Sequence, residues 1–198
     1  MKLENIATIR TGVVATRKKS NNGNAAQYNY KLLNLKCATP EGLLDLDCIE
    51  DFATDEPLKD DYITKKGDIL VRLSTPYTSI LIDKDEWCGL LVPSHFAIIR
   101  VDSNIAVPEY VLWILKQEST FRNIYAHMSG ASFFSTINSR FFNLLMIPEL
   151  PKKKQIAIGQ LQVLSDRQQA LLCNLANQKA LLNRLMLNKI FNNIKKEK

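Results

Sequence analysis

The side chains able to do acid–base or metal chemistry are few and scattered. The chain has two histidines, His95 and His127. His95 sits in PSHFAII at the head of an apolar run and reads as support for a turn or core. His127 stands beside the glycine of HMSGAS, where it is suited to contact a phosphate or a base. Two acidic groups, Asp45/Asp47/Glu50 and Asp83/Asp85/Glu86, have the ligand chemistry for a magnesium ion of a nuclease. Neither is followed by the acid-x-lysine ending of a typical nuclease strand, so solvated loop carboxylates are the better account. No G-x-S-x-G elbow and no G-x-x-x-x-G-K-[ST] phosphate loop occurs. The glycine-rich loop for S-adenosylmethionine and the Asn/Asp-Pro-Pro-Tyr/Phe motif of base methylation are also missing. Cys37, Cys48, Cys88 and Cys173 lack C-x-x-C spacing and a nearby histidine, which argues against zinc and for free thiols in a reducing cytoplasm.

Polar loops suited to binding are better represented. In RLSTPYTSIL, the residues Arg72, Ser74, Thr75, Tyr77 and Thr78 interrupt an apolar stretch. In HMSGASFFSTINSR, the residues Ser129, Gly130, Ser132, Phe133 and Asn138 lead to Arg140. Glycine permits close backbone approach, hydroxyls and amides read base edges or phosphates, and arginine does either. Phe133 and its neighbour Phe134 either pack inward or stack on a base. A third loop, TRKKSNNGNAAQ, carries Arg17, Lys18 and Lys19 into an Asn/Gly/Ser run; it is either a solubilising turn or a basic loop that orders on phosphates.

The elements that must position these loops belong to a mixed α/β (α+β) domain. Residues 28–39 and 42–49 read as strands around the turn Pro40-Glu41-Gly42, and 51–62 as an acidic surface stretch. ILVRLS and the runs within SILIDKDEWCGLLVPSHFAIIRV add strands separated by turns. Strand after strand at short spacing predicts a twisted, mostly antiparallel sheet. From Pro108 the apolar spacing becomes helical through about His127, followed by a small-residue loop, a short helix and a last strand LLMIP.

The final quarter differs in kind. From Lys152 to Phe191 there is no proline and one early glycine. Leu161, Leu164, Gln168, Leu171, Leu175, Gln178, Leu182 and Leu185 repeat at alternating three- and four-residue steps, and Lys189 ends the row. That is the a/d seam of a coiled coil, with two polar layers that fix register at a cost in stability. Leu172, Leu181 and Met186 widen the stripe. At ~1.5 Å per residue the helix reaches roughly 60 Å, too long to bury its seam on the preceding domain. Self-association or docking on a partner is expected, with folding back onto its own domain as the alternative. The division is residues 1–150 and 151–198.

Composition bounds the rest. A hydrophobic share of 46% against 23% charged residues over 198 positions is that of a soluble globular domain with an extension. No stretch approaches the ~20 apolar residues of a membrane span, and MKLENIATIRTG lacks the apolar core of a secretory signal. The net charge of +6 permits nucleic-acid binding without establishing it.

Taken in order, these pieces resemble the specificity (S) subunit of type I restriction-modification systems. IATIRTGV is similar to its opening segment. Lys66-Gly67-Asp68-Ile69-Leu70-Val71 is similar to its K-x-G-D-I-L-V strand. GLLVPSHFAIIRVD and the YVLWIL helix follow, as does the block from Ser129-Gly130 through Ile147-Pro148 and Pro151 to Gln155-Ile156. Where members often carry R-G-[ST]-x-G-[KR], this chain has Leu73-Ser74-Thr75-Pro76-Tyr77-Thr78-Ser79, in the part that reads sequence. A full S subunit has two target-recognition domains and two long helices; this chain resembles a half-subunit.

The resemblance implies a non-catalytic target-recognition domain with a spacer helix and no cofactor of its own. S-adenosylmethionine would belong to a partner methyltransferase (modification) subunit, and a restriction/translocase subunit would be a further partner. Double-stranded DNA is the implied ligand, with Arg17, Lys18, Lys19 and Lys65 on phosphates and the 72–79 and 127–140 loops on bases. A homodimer through the helix would read an interrupted palindrome. The rivals are a magnesium-dependent nuclease using the loop carboxylates and a coiled-coil adaptor that binds protein rather than DNA.

Overall fold

Strands β4 (Asp68–Arg72) and β7 (Phe96–Val101) are the centre of the molecule because nearly every residue in them is buried on both faces. In the computed structural model they lie in a four-stranded antiparallel sheet of order β1-β7-β4-β5, with β1 at Ala7–Thr11 and β5 at Ser79–Leu81. The model describes residues 1–20, 27–120, 137 and 140–196; of Arg140 and of 193–196 it describes the backbone alone. Ile69, Val71, Ala97 and Ile99 face one core with helix α1 (Pro108–Leu115) and Phe142 of the short helix α2 (Arg140–Asn143). Leu70, Ile80, Phe96 and Ile98 face a second core with Leu33, Cys37, Leu44 and Trp87. This period-two division of apolar residues needs a layer on each side of the sheet.

A smaller sheet of order β3-β2-β6 joins β2 (Tyr28–Leu32) antiparallel to β3 (Glu50–Thr54) and parallel to β6 (Leu90–Leu91). The mostly antiparallel mixed α/β architecture expected from the sequence is present. Local assignments differ. The strand expected over 28–39 stops at Leu32, because the Asn34 side chain accepts from the Lys36 N–H at 2.8 Å and caps a 3-10 turn at Leu35–Cys37. Asp45 does the same for Leu46–Cys48, leaving Ala38↔Leu44 as the bridge within the expected second strand. The true partner of β2 is β3, inside the stretch read as acidic surface. LLMIP forms a single bridge, Lys2↔Met146, rather than a strand.

Helix α1 runs only to Leu115, with Lys116 closing it; from 121 the expected helix lies outside the described residues. Helix α3, Lys152–Lys196, is continuous over 45 residues. Among the described residues no helix is long and apolar enough to cross a membrane.

The step into α3 explains the proline-rich block. Gln155 is buried, and its side-chain oxygen accepts the Val107 N–H at 3.0 Å while its NH₂ donates to the Leu150 carbonyl at 2.8 Å. A residue of one helix thus satisfies the N-cap N–H of another, the donor that the third helical side chain takes in a capping box and that Tyr110 there cannot accept from. The Tyr110 hydroxyl donates to the Pro148 carbonyl at 3.0 Å. At Gly159 a Cβ would meet the Glu109 Cβ at 2.5 Å and the Tyr110 nitrogen at 2.9 Å, so glycine permits the close crossing of α1 and α3.

Candidate nucleic-acid interface and spacer helix

Strand registers bring the two described sequence-predicted loops, 17–19 and 72–79, to one end of the large sheet. The pairings Thr11↔Ala97, Arg72↔Phe96 and Val71↔Ser79 place the end of β1, the start of β7 and the β4–β5 hairpin side by side. Beyond that edge the backbone continues as one connected rim. The Ser94 N–H donates to the Val13 carbonyl at 2.8 Å, the Leu73 N–H to the His95 carbonyl at 2.9 Å, and the Ile137 N–H to the Leu73 carbonyl at 2.8 Å. Ile137 is buried beside the hairpin. At Gly12 a Cβ would lie 2.3 Å from the Val92 and Pro93 carbonyl oxygens, which fixes glycine where β1 turns toward Arg17.

The side chains on this rim differ in how firmly they are held. The Arg72 guanidinium donates to the Ser74 hydroxyl at 3.4 Å and to the Thr75 carbonyl at 3.2 Å, folding it over its own hairpin. Thr75 is exposed, whereas Tyr77 packs partly against the main core. Thr78 is buried; its hydroxyl donates to the Pro76 carbonyl at 3.4 Å and its carbonyl accepts the Arg72 N–H, so it shapes the hairpin rather than facing outward. Arg17 and Lys19 are exposed on and after the 3-10 turn Ala15–Arg17, and Lys18 pairs with Glu56 at 3.5 Å. His127, Ser129, Gly130, Ser132, Phe133 and Asn138 lie outside the described residues; Arg140 begins α2.

Lys65 is not on this rim. It precedes β4, at the opposite end of the sheet from Arg72, and pairs with Asp60 at 2.8 Å. That ammonium holds the Asp60 carboxyl below its ordinary range. The adjoining Gly67-Asp68 step is structural. Gly67 has a positive φ of 87°, and Asp68 is fully buried, accepting the Lys65 N–H at 2.8 Å and two Arg100 N–H groups at 2.7 Å each. Those bonds raise the Arg100 pKa further, against the opposing effect of its burial. Conversely, His95 was read as a turn support, yet its side chain is exposed on the rim and only its carbonyl serves the turn. The signal was its place just before β7, the strand that borders both β1 and β4.

Five of the six carboxylates weighed for metal binding, all but Asp47, have separate partners. Asp83 pairs with Arg167, Asp85 with Lys66 and Glu86 with Lys84. Asp45 caps a turn through the Asp47 N–H, and Glu50 accepts from the Asn34 amide. Among the described residues no three His, Cys, Asp or Glu side chains are grouped to hold a metal ion. All four cysteines are free thiols.

Helix α3 has two faces. Gln155, Gly159, Val163 and Asp166 turn toward the body, where Asp166 pairs with Lys116 at 2.7 Å. This contact runs as far as Cys173, whose thiol is pushed up by the neighbouring Glu41 carboxylate. Every described side chain from Asn174 to Asn192 is exposed. The expected seam lies about 180° around the helix from the docked face, given ~100° per residue. Leu161, Leu164, Leu171, Leu175, Leu182 and Leu185 are 48–70% exposed, and Gln168 and Gln178 are exposed with them. Folding back therefore occurs, but through a mixed face of Gln155, Ile158, Gly159, Val163 and Asp166 that leaves the leucines uncovered.

No protein-family model matches the sequence, and no curated protein is significantly similar to it. Solved structures do match. One is a chain from a structure describing complex assembly and conformational transition of the type I R-M system, with TM-score 0.62 and 13% identity, covering 86% of this chain and 43% of that one. Another is the HsdS subunit from Thermoanaerobacter tengcongensis, with TM-score 0.61 and 12% identity over 86% of this chain and 42% of that one. The chain spans less than half the length of the solved chains it matches, and it has the fold of one half of an HsdS specificity subunit of a type I R-M system.

Proposed function

We propose that this chain is a sequence-specific DNA-binding specificity subunit in half-length form, itself without catalytic activity. Residues 1–150 serve as the recognising unit and 151–198 as spacer. The observation that carries this is the convergence of the Arg17–Lys19 turn, the Arg72–Ser79 hairpin and the exposed His95 at one end of the four-stranded sheet. Cationic side chains beside hydroxyls and the exposed His95 supply both phosphate positioning and base contact. Lys65, at the far end, is omitted from that surface. Two copies joined through α3 present two identical readers in opposite orientations, so the target is an interrupted palindrome with a gap set by the helix. Methyltransferase subunits carry S-adenosylmethionine and the chemistry of modification, and a restriction/translocase subunit joins them.

Fluorescence anisotropy with duplex DNA over a salt series tests the assignment. Affinity falls linearly on a log–log plot, and Arg17→Ala or Lys19→Ala each reduces the slope by about 1 through one lost phosphate contact. Arg72→Ala weakens binding by about 1–3 kcal/mol if that arginine reads a base. Salt-independent binding, or unchanged affinity in all three variants, overturns the surface and favours the protein-binding adaptor.

A further inference from the structure

Helix α3 is attached to the body in two different ways. Near its start the attachment is close and shape-dependent. Gln155 is buried against Val107, and at Gly159 a Cβ would lie 2.9 Å from both the Glu109 carbonyl carbon and the Tyr110 nitrogen. From Gln162 onward it is largely ionic. The Asp166 carboxylate accepts from the Lys116 ammonium at 2.7 Å and from the Gln162 amide at 2.8 Å, and Asp83 pairs with Arg167. Beside these pairs, a cleft lined by Gly42, Leu81, Trp87, Leu112 and Val163 separates the helix from the body.

Both ionic contacts reach the same flank of the body, that of strand β5. Asp83 lies just past Leu81, where the strand ends. Lys116 closes α1 and also donates to the Glu41 carbonyl at 3.5 Å. Next to it, Gly42 has a φ of 85°, and a Cβ there would lie 2.6 Å from the Lys116 Nζ and 2.8 Å from the Ser79 carbonyl oxygen. Ser79 begins β5 and ends the Arg72–Ser79 hairpin. One edge strand thus carries the reading hairpin at one end and the anchor of the spacer at the other. The Lys116 and Asp166 side chains are only 17% and 16% exposed. A shielded ion pair adds little net stability over apolar residues of similar volume, but its charge-assisted hydrogen bonds are directional.

Leverage makes that geometry matter. At ~1.5 Å per residue, Arg167 stands ~12 Å along α3 from Gly159 and Lys196 ~55 Å. A pivot at Gly159 that moves Arg167 by ~1 Å moves the far end by ~4–5 Å, more than the ~3.4 Å rise of one base pair. We infer that Asp166 and Arg167, through Lys116 and Asp83, are positioning residues for DNA recognition: they hold α3 at one angle to the β5 hairpin and so restrict the second reader to one half-site spacing. This rests on the paired readers proposed above and identifies what fixes their spacing.

The test is selection of duplexes from a random-sequence pool by the full parent chain, by Arg167→Glu and by the charge-reversed Asp83→Arg/Arg167→Glu, with helix content and Tm followed by circular dichroism. Arg167→Glu sets like charges together at Asp83. It keeps the half-site sequence of the parent and spreads the single gap over ~2–3 neighbouring lengths, as the lever arm requires. The reversed pair restores the single gap. Arg167→Gln, which removes the pair without repulsion, replaces Arg167→Glu if that variant loses helix content. An unchanged gap in the broken variant, even with a lowered Tm, confines the pair to stability and overturns the inference while the paired readers stand. A spread gap that the reversed pair fails to narrow also overturns it, because the effect then does not pass through Asp83. A parent with no preferred gap contradicts the paired readers and this inference with them.

Discussion

Replacing Asp68 by alanine tests whether the Gly67-Asp68 motif is a folding device, as its geometry indicates, and not part of the interface. The carboxylate is 1% exposed, accepts both Arg100 donors at 2.7 Å and also accepts the Lys65 N–H at 2.8 Å. Removing one member of a buried ion pair costs about 3–5 kcal/mol, because the other charge is left without its partner. Arg100 is 30% exposed and water reaches it, which favours the lower end, about 3 kcal/mol. For a chain of this size each kcal/mol lowers Tm by roughly 2–4 °C, so thermal unfolding followed by circular dichroism falls by about 6–12 °C. Asp68→Asn keeps an acceptor for the Lys65 N–H and falls between the parent and Asp68→Ala. A change in Tm below about 2 °C for Asp68→Ala would refute the reasoning, since no exposed surface carboxylate is expected to do more.

Gln155→Ala removes the trans cap of α1 and leaves the Val107 N–H buried without an acceptor; chemical denaturation shows a loss of about 1–3 kcal/mol. Cys173 reports the end of the docked half of α3. The Glu41 carboxylate disfavours its thiolate, so Glu41→Gln speeds alkylation of Cys173 near pH 8, measured by peptide mass spectrometry, while an unchanged rate would place Glu41 away from the thiol. The Asp60 carboxyl, held down by Lys65, contributes stability that is present above its unfolded pKa and lost as pH falls through its lower folded pKa. Lys65→Met therefore lowers stability slightly at neutral pH and leaves it unchanged at acid pH, so the variant's stability–pH profile falls less steeply on its acid side.

Periodic features were legible in the sequence and capped turns were not. The buried β4 and β7 runs and the long α3 helix depend on repeated apolar spacing, and they lie where that spacing places them. The stretch 28–49 misleads because Asn34 and Asp45 terminate extended chain by binding the backbone locally, in competition with a strand ladder. Strand β3 escapes notice because it lies at a sheet edge, where charged residues such as Glu50 and Asp51 are tolerated and protect against further pairing. The docked face of α3 is hidden for a related reason: it is held by the Gln155 amide, the Gly159 crossing and the Lys116–Asp166 pair, with only Ile158 and Val163 as its apolar contacts beyond Leu150. At the candidate interface, residue types suggested contact, but only strand register separates Arg72 from Lys65 and brings His95 to the rim.

The central claim is that two identical readers act across a fixed helical spacing. Selection of duplexes from a random-sequence pool by the full chain, followed by sequencing, measures it directly. The account predicts enrichment of an inverted repeat with an invariant gap, lost together with binding when Leu171→Asp/Leu182→Asp disrupts the seam. Recovery of no common sequence, or of half-sites with no preferred spacing, would contradict it.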